Sequence, residues 1–364
     1  MIVLGSRIIS FLKYKTVMIV VFLTMVFASE LTGKVNGQTP DVDNSWTTIV
    51  DDNFTSFDNQ TWYRYNSVGV NKDTKEELFI YKNGNTYINE LLPWGAANNG
   101  ILFFKLEKYS NGYPHPGDDS CILDLHYRHY YKTGRILSTH KYQYGYFEMT
   151  ASLPVAYRSF PAFWLWSCEN NIYNEIDIFE VFGGWSDTIS TNTHWDFSGS
   201  CSADLNSSRV DICSSNLSQF HKYALEWTKS RLIWFVDGKI VRVEANDYNG
   251  IGLQNAMELI INLARYPDGI KPPNAEVNTN YPQYMMVSNV KICEMKCDST
   301  SIVWDIPNFY TYNYALKKII SLGNNTTIPN NTSISLRATD YIEWRDGFEI
   351  PIGTNVYFEV GHYK

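Results

Sequence analysis

Between Ser45 and Cys297 the sequence is a succession of short apolar runs, rich in Tyr, Phe, Trp, Ile and Val and separated by Gly, Asn, Asp and Pro. Short apolar runs bounded by turn residues are typical of β-strands. The dipeptide Asp237-Gly238 stands between two such runs and favours a hairpin turn. No long amphipathic helix is evident in this pattern. The sequence therefore predicts an all-β fold, and its length favours two stacked sheets over a small barrel.

The character of the sequence changes after Cys297. Residues 298–364 contain shorter strand-like runs with recurring Ile-Pro and Gly turns. We interpret 45–297 as the main domain and 298–364 as a small accessory β module. The alternative is that the last strands complete the sheets of the main domain.

Residues 1–37 have the composition of a signal peptide with a short leader. Arg7, Lys13 and Lys15 precede an apolar run from Thr16 to Ala28, and small and polar residues follow it. The run is shorter than the roughly 20 apolar residues that cross a bilayer, although an uncleaved anchor is an alternative. We expect a secreted protein, extracellular, periplasmic or at the cell surface, with no membrane association after cleavage.

The net charge and the cysteine content limit the possible partners and the cellular compartment. A formal net charge of −8 argues against nucleic acid, because neutralising phosphates requires a basic surface. Six cysteines, an even number, suit an oxidising compartment. Cys201 and Cys213 flank a loop-like stretch and are the pair we expect to form a disulfide. No His stands at metal-ligand spacing from a Cys pair, so zinc is not expected.

The motif EIDIFE places three acids in a run that otherwise looks like a buried strand. In a regular strand Glu175 and Asp177 share a face, whereas Glu180 points to the opposite, apolar face. A lone charge on that face would be costly. One extra residue at Ile178 or Phe179, a β-bulge, would turn Glu180 back toward the other acids. We therefore predict a bulge within the motif.

Three acids on one face favour hydrolytic chemistry. They cannot all ionise cheaply at close range, so one of them should hold a proton at neutral pH. With the bulge, the Cα atoms of Glu175 and Glu180 would lie roughly 13 Å apart. Their side chains could then bring the carboxyl groups to the separation of about 5 to 5.5 Å that retaining glycosidases use. The alternatives are a solvated strand face or a calcium site, but calcium prefers irregular loops.

Several ordered motifs surround these acids: "GRILSTHKYQYGYFEMTASLP" and "FPAFWLW" before them, and "THW", "FHKYALEWTKSRLIWFVDG" and "LIINLA" after them. In this order the sequence resembles glycoside hydrolase family 16. The resemblance implies a jelly roll of two antiparallel sheets with a substrate cleft, and endo-acting retaining hydrolysis of a polysaccharide. It implies that Glu175 is the nucleophile, Asp177 the assisting acid and Glu180 the acid/base. The two residues between Asp177 and Glu180 are similar to the laminarinase, agarase and carrageenase branch.

Further side chains are expected to contact the substrate. The resemblance places one histidine in the cleft, and aromatic rings can stack on the apolar face of a sugar. The candidates are His194, Trp195, Trp227, Phe160, Trp166 and Arg158. Trp164, flanked by Phe163 and Leu165, is expected to pack in the core instead.

These observations together predict a monomeric, secreted endo-glycanase that acts on a β-1,3-linked glucan. One alternative substrate is a red-algal galactan such as agar, porphyran or carrageenan. A second alternative is a carbohydrate-binding jelly roll that has lost catalysis. No cofactor is expected. A structural calcium ion is not supported, because Ser288 stands where the resemblance would place a calcium-binding Asp.

Overall fold

The computed structural model describes residues 46–64, 67–70, 77–81, 86–88, 100–113, 129–184, 187–199, 201, 206–214, 216–248, 250–265, 281–296, 300–309, 316–331 and 333–361. The predicted signal peptide and leader, residues 1–37, lie outside these ranges. Within them, no helix is long and apolar enough to cross a membrane.

Two large β-sheets enclose the main core. The back sheet contains the following strands: β1 (Trp46–Asp52), β3 (Ser67–Val70), β4 (Glu77–Tyr81), β5 (Thr86–Ile88), β6 (Leu102–Tyr113), β7 (His129–Thr133), β9 (Gly145–Ser152), β14 (His221–Trp227), β15 (Arg231–Val236), β16 (Lys239–Ala245) and β18 (Gln283–Met295). The front sheet contains β2 (Trp62–Arg64), β8 (Arg135–Tyr142), β10 (Ser159–Glu169), β11 (Ile172–Glu180), β12 (Thr188–Asp196), β13 (Asn206–Cys213) and β17 (Met257–Arg265). Neighbouring strands run antiparallel, except that β4 pairs with β7 in parallel. The predicted all-β fold with two antiparallel sheets is confirmed.

The front sheet has the order β13-β12-β11-β10-β17-β8-β2, so the strand that carries the three acids lies near its centre. Alternation along β10 sends Phe163 and Leu165 into the core, where both are fully buried. Trp164 and Trp166 consequently lie on the opposite face and are partly exposed. This outward face of the front sheet holds the candidate site.

A third sheet follows the two large ones. It consists of β19 (Ile302–Trp304), β20 (Lys317–Leu322), β21 (Ser333–Trp344) and β22 (Asn355–Val360). Its strands pair in chain order and run parallel, and they enclose a small core of their own. The domain boundary between residues 297 and 298 stays a prediction, but the structure shows how the third sheet meets the back sheet.

Four buried charged residues join the third sheet to the back sheet; we call them the interface ion cluster: Glu226, Arg231, Arg337 and Glu359. Arg337 of β21 forms an ion pair with Glu226 of β14. Arg231 of β15 lies 3.6 Å from Glu226 and 3.3 Å from Glu359 of β22. Two acids and two arginines thus compensate one another in a contact from which water is largely excluded. A buried charge that lost its partner here would be strongly destabilising.

The disulfide prediction is wrong. Cys201 is bonded to Cys168, with their Cα atoms 5.8 Å apart, and Cys213 is an exposed free thiol. The stretch before Cys213 is not a loop but strand β13, and eight extended residues span roughly 26 Å, which holds Cys213 away from Cys201. Cys168 and the end of β12 lie at the same end of the front sheet, since Tyr173 pairs with both Cys168 and Asp196.

Candidate active site

The acid motif contains the predicted bulge. The partners of Asp177 and Glu180 on β12 are two positions apart, although the two acids themselves are three positions apart. The pairing with β10 places the extra residue at Ile178. Both Ile178 and Phe179 are buried in the main core. Glu180 therefore returns to the outward face that already carries Glu175 and Asp177.

The neighbouring strand adds a histidine to this face. Nε2 of His194 lies 3.7 Å from Oε1 of Glu175 and 3.4 Å from Oδ2 of Asp177. On the same strand as the acids, the hydroxyl of Tyr173 donates a hydrogen bond to Oε2 of Glu175. We call Glu175, Asp177, Glu180 and His194 the cleft acid cluster. Glu175 thus has the hydroxyl of Tyr173 on one of its carboxyl oxygens and the imidazole of His194 near the other.

Glu180 has the electrostatic character of a proton donor. Burial raises its pKa well above the ordinary value, and the negative charges of Asp177 and Glu175 raise it further, although His194 and Arg209 oppose the shift. The side-chain amide of Asn192 donates a hydrogen bond of 2.5 Å to Oε2 of Glu180. A carboxyl group in this environment retains its proton in conditions where an exposed glutamate is ionised.

The pKa of Asp177, the middle acid of the motif, is also raised. Burial raises the pKa of Asp177 to about 7, while a hydrogen bond from Asn192 and the charge of Arg242 act in the opposite direction. Asp177 and Glu180 therefore both lose their protons at higher pH than an exposed carboxyl group would.

Part of this cluster could also bind a cation. Ligand atoms of Glu175, Asp177 and His194 all lie within 4.8 Å of one another. One nitrogen and two carboxylate oxygens are suitable donors for several divalent metals. The expectation that the site works without a metal or cofactor stays a prediction.

Partly exposed aromatic rings line the same outward face. The indole N–H of Trp164 donates a hydrogen bond of 2.7 Å to Oδ1 of Asn262 on β17. Trp166 contacts Tyr173 edge to face, with ring centroids 6.4 Å apart. Near Glu180, Phe160 and Phe182 lie with ring centroids 4.9 Å apart. These rings provide apolar surfaces on which a sugar could stack.

The structure corrects three of the tryptophan expectations. Trp227 is fully buried in the core, where its indole donates to the carbonyl of Leu253, so it cannot contact a sugar. Trp195 follows His194 and faces the core, where it stacks on Tyr248 with centroids 4.1 Å apart. Trp164 was expected to pack in the core, but it lies on the outward face and is partly exposed. Along a strand, alternation from a residue of known orientation indicates which face a side chain occupies.

Arg158 lies in the turn before β10, outside the cleft acid cluster. Its backbone has a positive φ of 69°, and its guanidinium lies 5.3 Å from the ring of Tyr157. Its role in substrate binding stays a prediction, as do those of Phe160, Trp166 and His194.

Sequence reasoning missed Tyr173, Asn192 and Arg209. A signal for Asn192 was present, because it stands two residues before His194 and so shares its face of the strand. Tyr173 has the same relation to Glu175. Arg209 could not be found in this way, because it comes from β13, a strand whose sequence resembles a loop.

Comparison with known proteins agrees with the family resemblance and with the fold. The model of the family described as glycosyl hydrolases family 16 matches residues 105–285. The chain is 32% identical over 173 residues to an endo-1,3-1,4-beta-glycanase, ExsH, of Rhizobium meliloti, covering 46% of this chain and 33% of that protein. It is 26% identical over 149 residues to a glucan endo-1,3-beta-glucosidase of Cryptopygus antarcticus, covering 37% of this chain and 55% of the relative. The chain thus spans between a third and about half of the length of these curated relatives.

The fold agrees with a solved structure as well. The laminarinase catalytic domain of Thermotoga maritima superimposes with a TM-score of 0.53 at 20% identity, covering 69% of this chain and 98% of that domain. This likeness concerns the fold, which is the jelly roll that the resemblance implied. Residues 105–285, which contain the bulged acid motif at the centre of the front sheet, belong to glycosyl hydrolases family 16.

Proposed function

We propose that this chain is a secreted, endo-acting retaining glycoside hydrolase whose substrate is a β-1,3-linked glucan. The bulge at Ile178 is the observation that carries the proposal. It brings Glu180, whose pKa is raised, to the face that holds Glu175 and its hydrogen-bond donor. A protonated and an ionised carboxyl group on one face are the minimum that a double displacement requires.

The first step in this proposal is the attack of the Glu175 carboxylate on the anomeric carbon. The bond from that carbon to the leaving oxygen breaks, and Glu180 transfers its proton to the oxygen. In the second step Glu180, now a carboxylate, takes a proton from water, and the resulting hydroxide equivalent displaces Glu175 from the sugar. Two inversions at the same carbon give net retention. Asp177 lies between the two glutamates in the strand and raises the pKa of Glu180 through its charge.

Two lines of support favour a neutral glucan. One relative described above is named a glucan endo-1,3-beta-glucosidase, and the other is named an endo-1,3-1,4-beta-glycanase. In addition, Arg209, a cation on the outward face beside Glu180, donates to Asp211 at 2.9 Å and to Ser190 at 2.8 Å. Its charge is therefore compensated within the protein, which makes it a poor partner for the sulfate groups of a red-algal galactan.

Release of reducing ends from laminarin, lichenan, agarose, porphyran and carrageenan tests the substrate. We expect the fastest release from laminarin, with oligosaccharides of several lengths as early products. NMR of the first product should show retained configuration at the anomeric carbon, and inverted product would refute the retaining mechanism. Faster cleavage of a galactan would establish the alternative substrate. Binding without cleavage of any of the five would identify a carbohydrate-binding jelly roll.

A further inference from the structure

A tryptophan of the back sheet reaches the bulge from behind. Trp234 of β15 is almost fully buried, and its indole N–H donates a hydrogen bond of 2.9 Å to the backbone carbonyl of Asp177. That carbonyl belongs to the residue at which β11 changes register against both of its neighbours. The ladder of backbone hydrogen bonds is interrupted at a bulge, so a side-chain donor there can fix a conformation that the strands alone define weakly.

The back sheet has a bulge of its own at this point. Trp234 pairs with Arg242, whereas the next residue, Phe235, pairs with Ile240, so Val241 is the extra residue of β16. Val241 packs against the main core, and Arg242, one position later, is also buried. This bulge turns a charged side chain inward between the sheets, whereas the bulge at Ile178 turns Glu180 to the outward face of the front sheet.

Arg242 connects this arrangement to the strand beside the acids. Its guanidinium lies 4.3 Å from the ring of Trp234. It donates hydrogen bonds to the backbone carbonyl of Thr191 at 2.6 Å and to the hydroxyl of Thr191 at 3.0 Å. Thr191 precedes Asn192, which binds Glu180. The stacked pair therefore holds the backbones of β11 and β12 on either side of the contact between Asn192 and Glu180.

We propose that Trp234 and Arg242 are positioning residues, which hold β11 and β12 from behind so that the carboxyl group of Glu180 is aimed at the scissile bond. This inference rests on the proposed function, since it assigns a purpose to the bulge that the function uses. Neither residue touches the substrate. Their effect is transmitted through the carbonyl of Asp177 and the backbone of Thr191.

Trp234→Phe tests the inference, because it removes the indole N–H and retains an aromatic ring. Trp227→Phe is the matched control. Trp227 is also fully buried in the main core and donates its indole N–H to a backbone carbonyl, that of Leu253, at 3.1 Å. Both variants should lose a similar amount of thermal stability. We expect kcat/KM on polysaccharide to fall about ten-fold or more in Trp234→Phe only, because misaimed proton transfer loses part of its 10²–10⁴-fold contribution.

The leaving group separates misaiming from a general loss of structure. Dinitrophenyl glycosides need little protonation of the leaving oxygen, so kcat/KM on such a glycoside of the preferred oligosaccharide should change less than about three-fold in Trp234→Phe. Equal losses on both substrates, or equal behaviour of the two tryptophan variants, would refute the positioning role while the proposed function stands. An inactive wild-type protein would refute the proposed function, and this inference with it. Should Trp234→Phe fail to fold, benzothienylalanine at position 234 replaces only the N–H with sulfur, and the same outcomes apply.

Discussion

The cleft acid cluster and the interface ion cluster both remove carboxyl groups from water, yet the electrostatic results are opposite. Burial raises the pKa of Glu180, and its acidic neighbours raise it further. Burial also acts to raise the pKa of Glu359, but the charges of Arg231 and Arg337, with hydrogen bonds from Ser230 and Thr228, hold it below the ordinary value. The number of cations facing each carboxyl group, rather than burial alone, decides whether it holds a proton.

The two clusters also differ in how far their charges are compensated. In the interface ion cluster two acids face two arginines, so each charge is compensated and the third sheet is held on the back sheet. In the cleft acid cluster three acids face one histidine at close range. The excess of negative charge costs stability and helps to keep a proton on Glu180, which in the proposed mechanism goes to the leaving group.

The largest effect is expected from Glu175→Gln in the cleft. Turnover should fall by about 10⁴-fold or more, because loss of the nucleophile disables the unit to which the acid belongs. Thermal stability should be unchanged or slightly higher, since one repulsive charge is removed. Rates of reducing-end release and the melting temperature measure the two effects. Glu349→Gln, at an exposed position, is the control. Turnover of Glu175→Gln near the wild-type rate would refute the assignment of Glu175 as the nucleophile.

Glu226→Gln, in the interface ion cluster, should lower stability and leave turnover unchanged. Two arginines would then share one acid, and the free energy of unfolding should decrease by about 3–5 kcal/mol. The kcat of the remaining folded protein should stay unchanged, because the cluster lies behind the back sheet. Urea unfolding, with Glu349→Gln as the control, measures the loss. A variant as stable as the control would show that the cluster does not hold the third sheet.

Acid should weaken the interface through Glu359. Because its pKa is lowered in the folded state, the unfolded chain binds more protons in acid, so the stabilisation is present above the ordinary glutamate value of 4.5 and is lost as the pH falls below it. In Glu359→Gln this contribution is absent at every pH. The difference in unfolding free energy between wild type and variant should therefore narrow below about pH 4.5. Urea titrations across that range provide the measurement, and a constant difference would contradict the assignment.

The smallest effect is expected from Asp177→Asn on the pH dependence. The raised pKa of Glu180 places the alkaline limb of kcat/KM at higher pH than an exposed glutamate would. Removing the charge of Asp177 takes away one cause of that shift, so Glu180 should lose its proton at lower pH. The alkaline limb should consequently move toward acid, alongside any loss in rate. A limb that stays in place would show that another group controls it.

Local pattern was sufficient for much of the fold and for the centre of the site. Alternating apolar runs predicted an all-β structure because the period of two is a property of every strand. The bulge could be predicted for a similar reason: Ile178 and Glu180 cannot both follow regular alternation without burying a charge. The interface ion cluster could not be predicted, because its four residues come from strands β14, β15, β21 and β22, and no local pattern relates them.

The sequence by itself determined the periodicity of the strands and the need for a bulge among the acids, because both depend on neighbours along the chain. The tertiary structure decided which sheet each tryptophan faces, which cysteine Cys201 meets, and which charges compensate one another. Trp227 and Trp234 both lie in the motif "EWTKSRLIWF", and only the packing of two sheets places one against Leu253 and the other behind the acids. Contacts between strands distant in sequence depend on the stacking of sheets, which no single run of residues encodes.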